Sequence, residues 1–220
     1  LAAREVLKYD DVERVTLVDL DPAVTELART NPVLVAQNGG SLGDPRVDVI
    51  SGDAYGYLGR TGELYDVIIA DFPDPKSVGL ARLYSLEFYR LLARHLGPGG
   101  VFVTQATSPF FSQEAFLSIL KTVRAAGFTA VPYRNHVPTL GEWGFVLGVK
   151  PPPGRTFAAE ALKGRLERET FAGLPTEYLG RDARKHLLNF GKNELAPYRR
   201  VEVSSERNHA VASYYRTGRW

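Results

Sequence analysis

Residues 65–84 read YDVIIADFPDPKSVGLARLY. Val67-Ile68-Ile69-Ala70 is an apolar run without polar alternation, the pattern of a strand buried on both faces of a parallel sheet. The run stops at Asp71. Pro73, Asp74 and Pro75 follow, and proline bars helix both at its own position and at the one before it, so the chain must turn into a loop. Asp71 and Asp74 therefore sit at the carboxyl end of a buried strand, the edge at which open α/β sheets take ligands. Two carboxylates there call for a cationic or proton-donating substrate. The plainer alternative is that an Asp-Pro-rich loop uses aspartate only to turn, although one aspartate would be enough for that.

The segments on either side repeat the alternation. Ala2–Tyr9 reads as the end of a helix, with Val6 and Leu7 on its apolar side. Val15–Val18 is a buried strand running into Asp19-Leu20-Asp21-Pro22. Pro22 at a first helical position, capped by Asp21, starts a helix through about Arg29. Asn38–Ser41 and Gly43–Pro45 read as loop, Val47–Ile50 as a strand halted by Ser51-Gly52-Asp53, and residues 55–58 as a short helix. Downstream come a helix over about Ser85–Leu96, a turn at Gly97–Gly100, a strand over Val101–Gln105 and a helix over Gln113–Ala126. Thr129–Tyr133 and Trp143–Val149 read as an antiparallel pair closing around Pro138–Glu142. This rhythm predicts βαβ units in an α/β, Rossmann-like doubly wound sheet with an antiparallel edge. Pro151-Pro152-Pro153-Gly154 is the one linker-like stretch, and it separates a predicted catalytic domain, residues 1–150, from an appendage, residues 151–220.

Charge divides along the same line. Residues 1–150 hold 14 Lys/Arg against 17 Asp/Glu, and residues 151–220 hold 13 against 8. The basic tail reads first as a solvated face, and second as a surface for an anionic membrane or partner. The chain has no cysteine, which removes disulfides, thiolate metal sites and a cysteine nucleophile, and fits a cytoplasmic setting. His95, His136, His186 and His209 lack metal-ligand spacing, so no metal is expected. Ser108 and Ser112 have no accompanying His/Asp pattern for nucleophilic catalysis. Tyr178, Tyr198, Tyr214, Tyr215 and Trp220, interleaved with arginine, read as a tail covering the core and not as a nucleic-acid surface. No apolar run approaches the roughly 18 residues of a membrane span. The chain contains no methionine and opens inside a helix, so a preceding segment is expected, and with it any membrane anchor.

Asp19 and Asp53 end successive strands on the ligand-binding edge. A carboxylate at Asp19 can accept both hydroxyls of a ribose. Asp53 can accept from an adenine amino group while the adjacent Ala54 N–H reads a ring nitrogen. Either aspartate alone could be a turn or cap residue; the pair points to an adenosine pocket. The glycine-rich turn that usually follows the first strand of such folds is not in the chain, and nothing before Ala2 could form that strand. The sheet is thus expected to lack its first strand.

With these positions in place the chain resembles the spermidine synthases, the polyamine aminopropyltransferases. The resemblance is carried by LAAREVLKYDDVERVTLVDLDP, GDPRVDVISGDAYGYL, YDVIIADFPDP, LYSLEFYRLLARHLGPGGVFVTQATSP and VPTLGEWGF, in that order over about residues 1–150. It looks closest to the bacterial branch whose catalytic domain follows a membrane-spanning segment, which would tether a cytoplasmic domain to the inner membrane. It implies the fold of S-adenosylmethionine-dependent transferases, Asp71 as the catalytic acid/base, Asp74 as a second amine ligand and Gln105 on the wall near the amine. Asp19 would hold the ribose, and Asp53 with Ala54 the adenine, of decarboxylated S-adenosylmethionine, a co-substrate needing no prosthetic group. The sequence departs from the family pattern at Phe72-Pro73, where Ser/Thr pairs are usual, at Val78 near an expected proline, and at Leu140, where a tyrosine is usual.

Aminopropyl transfer needs a neutral amine. An alkylammonium like that of lysine has a pKa near 10.4, so baring it at pH 7 costs about 4.6 kcal/mol. A carboxylate at hydrogen-bond distance can bind the ammonium and then take its proton. Asp71 suits that role because the strand end holds it, and Asp74 suits binding. Glu142 either anchors the distal amine of a diamine such as putrescine or is solvent-exposed. Two other functions remain open: methyl transfer from intact S-adenosylmethionine, and polyamine or nucleoside binding without catalysis. Homo-oligomerisation is open as well.

Overall fold

The computed structural model describes residues 1–170 and 176–218, in two compact units, Leu1–Thr61 and Gly62–Trp220. The first holds α1 (Ala2–Val6), β1 (Val15–Asp19), α2 (Pro22–Thr30), α3 (Pro32–Asn38), β2 (Val47–Ser51) and α4 (Ala54–Arg60). β1 and β2 are parallel and in register from Val15 opposite Val47 to Asp19 opposite Ser51. The Asp21-Pro22 cap forms as expected, the Asp21 carboxylate accepting from Ala23 N. The stretch between Arg29 and Asn38, to which the sequence reading gave no element, holds a second helix. Asn31-Pro32 repeats the same start signal, Asn31 accepting from the Val33 and Leu34 N–H groups, and α3 ends at Gly39 in the left-handed region.

The second unit holds β3 (Tyr65–Ala70), α5 (Val78–Ala81), α6 (Leu86–Arg94), β4 (Leu96–Gln105), α7 (Gln113–Ala125), β5 (Thr129–Val137), β6 (Gly141–Val149), α8 (Ala159–Arg168), α9 (Arg181–Leu188) and α10 (Ala210–Arg216). Its four strands run in the order β3-β4-β6-β5. β3 and β4 are parallel, and β6 is antiparallel to both β4 and β5, which is the predicted antiparallel edge. The class is α/β with open sheets, as the alternation predicted.

One face of the four-stranded sheet is packed by α6 and α7. Phe88, Tyr89, Phe102, Phe116, Leu92 and Val146 are fully buried there, and the ring of Tyr89 lies 5.7 Å from that of Phe102. The other face is more open at β3, which corrects the expectation of burial on both sides. Val67 and Ile69 are 59% and 46% exposed. β3 is an edge strand of this sheet, and alternation puts both residues on one face beside Val101 and Val103.

Two further boundaries shift. Gly97–Gly100 falls within β4, at a break in register between the Tyr65–Leu96 and Val67–Val101 pairs. The β5-β6 hairpin is longer than expected and pairs through Val137 and Gly141, so Glu142 lies in a strand opposite His136. Residues beyond Pro151 belong to the second unit. Tyr198 packs its ring beneath the Arg124 guanidinium, and the Tyr214 hydroxyl accepts from Glu202 N. Tyr178 donates to Asn135, and Trp220 lies outside the described residues. Among the described residues no helix is long and apolar enough to cross a membrane.

Candidate active site

In the first unit the two expected acceptors leave adjoining strand ends. Gly52 N donates to Asp19 O at 2.8 Å, carrying the ladder one residue past β2. Asp19 Oδ1 accepts from Asp21 N at 2.9 Å, and Asp53 Oδ2 accepts from Gly56 N at 2.8 Å, capping α4. Both aspartates thus do the local work of turn and cap. Each does so through one oxygen, and a carboxylate has lone pairs to spare on the other. Ala54 opens α4, so its N–H is among those with no partner inside the helix.

In the second unit Asp71 follows β3 directly and is exposed. It has no hydrogen-bond or ion-pair partner among the described residues. Asp74 is half-buried and gripped at both oxygens: Oδ1 accepts from Gln105 Nε2 at 3.2 Å, and Oδ2 accepts from the Tyr215 hydroxyl at 3.0 Å. No cation pairs with either aspartate among the described residues.

Gln105, at the end of β4, is 5% exposed and is the hub of this network. Its Oε1 accepts from Thr107 N at 2.7 Å and from Trp143 Nε1 at 3.2 Å. Its Nε2 donates toward Phe72 O at 2.9 Å, toward Asp74 and toward the Tyr84 hydroxyl. Two pure donors face one end of the amide, and a carbonyl and a carboxylate face the other, so its orientation is fixed. The Tyr84 hydroxyl lies 3.2 Å from Phe72 O and 3.0 Å from Pro73 O, so the loop backbone between the two aspartates is held from below. Thr107 aims its N–H at Gln105 from the left-handed region, at φ 58°. Gly144 N bonds to Thr107 O at 2.7 Å, and a Cβ at Gly144 would lie 2.8 Å from that oxygen and 2.6 Å from the Phe116 ring. Only glycine permits this approach.

Two tyrosines here stay protonated. Burial first, then the neighbouring Tyr89 and Asp74, raises the Tyr84 phenol well above its ordinary value. Burial, and then the bond to Asp74, raises that of Tyr215. Both act as neutral donors across the working pH range.

Glu142 does not join this group. Successive strand residues face opposite sides, and Trp143 is the one that reaches Gln105. Glu142 lies 3.5 Å from Arg134 Nε and 3.5 Å from His136 Nδ1. Its side chain is 32% exposed, and the Arg134 guanidinium compensates its charge. The sequence reading placed Tyr215 in a tail covering the core, and the structure adds Tyr84 and Thr107 to the network. A buried tyrosine needs a partner for its hydroxyl, which marks Tyr84 as worth tracing. Tyr215 gives no local signal at all.

The Spermine/spermidine synthase domain model matches residues 1–154. The chain belongs to this family. The spermine/spermidine synthase match takes in Asp19, Asp53, Asp71, Asp74 and Gln105 and ends before Tyr215. The chain is 39% identical over 215 residues to polyamine aminopropyltransferase 2 of Ralstonia nicotianae, covering 98% of this chain and 40% of that protein. It is 49% identical over 158 residues to polyamine aminopropyltransferase 1 of Streptomyces coelicolor, covering 70% of this chain and 30% of that one. It thus spans about two-fifths or less of the curated relatives it matches. In fold it is similar to the spermidine synthase of Thermotoga maritima, with a TM-score of 0.69 at 24% identity, covering 90% of this chain and 64% of that one. A spermidine synthase in complex with the transition-state analogue AdoDATO gives 0.68 at 21% identity, covering 91% and 64%.

Proposed function

We propose that this chain is the catalytic part of a polyamine aminopropyltransferase. It would move an aminopropyl group from decarboxylated S-adenosylmethionine to a diamine such as putrescine, giving spermidine and methylthioadenosine. The observation that carries the reading is the state of the two carboxylates after β3. Asp71 is exposed and without a partner among the described residues, and Asp74 is oriented by an amide and a phenol, neither of which cancels its charge. That arrangement suits a positively charged substrate that must give up a proton. Family membership and the named relatives point the same way.

In this reading Asp74 binds the ammonium and Asp71 removes its proton. The freed nitrogen lone pair attacks the carbon next to the sulfonium. The carbon–sulfur bond breaks with its electrons going to sulfur, which leaves as a neutral thioether. Asp19 holds the donor's ribose, and Asp53 with the Ala54 N–H its adenine. Residues 1–150 form the catalytic domain and residues 151–220 an appendage to it. The absence of cysteine fits a cytoplasmic reaction. The test is to incubate the full-length protein with putrescine and either sulfonium donor and to follow methylthioadenosine. Its appearance only with the decarboxylated donor supports the reading. A methylated amine from intact S-adenosylmethionine, or amine binding with no turnover of either donor, overturns it.

A further inference from the structure

The family domain ends at residue 154, yet one grip on the Asp74 carboxylate comes from α10, near the other end of the chain. We propose that Tyr215 is a positioning residue for the amine: it fixes the Asp74 carboxylate in the orientation that receives the substrate ammonium, and this gives the appendage a part in substrate recognition. The inference rests on the aminopropyltransferase reading, which assigns Asp74 to the amine.

The geometry argues for it in three steps. Asp74 lies in a loop between two prolines, and such a side chain is free to rotate unless something holds it. Gln105 secures Oδ1, and Tyr215 secures Oδ2 at 3.0 Å, so the carboxylate plane is fixed only when both are present. Next, Tyr215 is only 8% exposed, which limits the access of water to that bond. Last, the donor is neutral. An arginine or lysine in its place would hold the carboxylate equally well and would neutralise the charge that attracts the ammonium. Burial and Asp74 together keep the phenol protonated, so the donor persists at any pH at which the enzyme works.

α10 is itself seated firmly enough to deliver the hydroxyl. Val211 and Ala212 are buried, and Val211 N donates to the buried Ser204 Oγ at 3.2 Å. Ser204 N in turn donates to Thr122 Oγ1 on α7 at 2.9 Å. The position of Tyr215 is thus tied to the core of the second unit.

The experiment measures putrescine binding by calorimetry, together with KM and kcat for both substrates, in full-length wild type, Tyr215→Phe, Asp74→Asn and the double variant. Phenylalanine keeps the ring and deletes only the hydroxyl. The expected result is an approximately ten-fold weaker amine Kd and higher amine KM, with kcat within about two-fold and donor KM unchanged, and no added effect of Tyr215→Phe on top of Asp74→Asn. A merely structural tyrosine would shift donor KM or kcat as well and would add to Asp74→Asn; that outcome overturns the proposal. Active wild type with unchanged amine KM in Tyr215→Phe also overturns it and leaves the aminopropyltransferase reading standing. Wild type that binds putrescine without turnover overturns that reading, while the binding cycle still decides the role of Tyr215. No putrescine binding by wild type overturns both.

Discussion

Replacing Asp71 by Asn tests the base directly. The side chain is exposed and has no partner among the described residues, so the change removes no hydrogen bond or ion pair. Surface changes of this sort alter stability by no more than about 0.5 kcal/mol, and the melting temperature should stay put. The chemical cost is far larger. Without a proton acceptor, the amine must reach its neutral form by itself. At pH 7 that costs about 4.6 kcal/mol for an amine of pKa near 10.4, or roughly three orders of magnitude in rate. This fixes a second, sharper expectation. The neutral fraction of such an amine grows about ten-fold per pH unit below its pKa, so the variant should regain activity by about a hundred-fold from pH 7 to 9 while wild type gains much less. The assay is methylthioadenosine release at saturating donor, with a thermal melt at each pH. A rate within three-fold of wild type at pH 7, or a deficit that stays constant as pH rises, refutes the assignment of Asp71 as base.

Three other expectations are open to measurement. Gln105→Leu strands the N–H of fully buried Thr107 and leaves Trp143 Nε1 without its acceptor, so urea unfolding should show a loss of about 2 kcal/mol or more, and amine KM should rise. Asp53→Ala should lose about 1 kcal/mol with the cap of α4 and also raise donor KM, whereas Asp53→Ser should keep the cap and raise donor KM alone; an unchanged donor KM in Asp53→Ser would argue against an adenine contact. Burial raises the Tyr89 phenol above its ordinary value of 10.0, so the proton is held more tightly folded than unfolded. Its stabilising effect is complete below about pH 10 and is lost as pH rises from there; Tyr89→Phe should flatten the fall in urea midpoint between pH 10 and 11, and an unchanged slope would contradict this.

What could be read from the sequence was local. The apolar run at Val67–Ala70 followed by two prolines announces a strand and a loop within a few residues, and Asp21-Pro22 announces a capped helix by its own chemistry. Asn31-Pro32 carries the same signal for α3, in the stretch between Arg29 and Asn38 to which the sequence reading gave no element. Open exposure of Val67 and Ile69 was not legible, because an apolar run states what a strand can bury and not what lies against it. The site divides in the same way. Asp19, Asp53, Asp71 and Asp74 were legible because each ends or follows a strand. Gln105 came only through the family resemblance, and the partners that give it meaning are contributed by separate elements. Tyr215 meets Asp74 from 141 positions further along the chain. Glu142 lies in a strand and not in a turn because the hairpin is longer than the sequence indicated; four more pairs of residues lie in the ladder, from Arg134–Gly144 to Val137–Gly141.

Asp74 and Glu142 together show why partner chemistry decides the function of a carboxylate. Both belong to the second unit and both have side-chain neighbours at each oxygen. Glu142 faces Arg134 and His136, and Arg134 also pairs with Glu194. An ammonium approaching Glu142 would have to displace a guanidinium or share the charge with it. At an effective dielectric of about 20, a cation 4 Å from a carboxylate interacts by about 4 kcal/mol before desolvation, so such competition is severe. Asp74 meets only an amide N–H and a phenol, which direct its lone pairs and leave its charge whole. A site for a polycation therefore needs its structural donors to be neutral as much as it needs the carboxylates themselves. Gln105 and Tyr215, each supplying hydrogen bonds without charge, meet that requirement at Asp74.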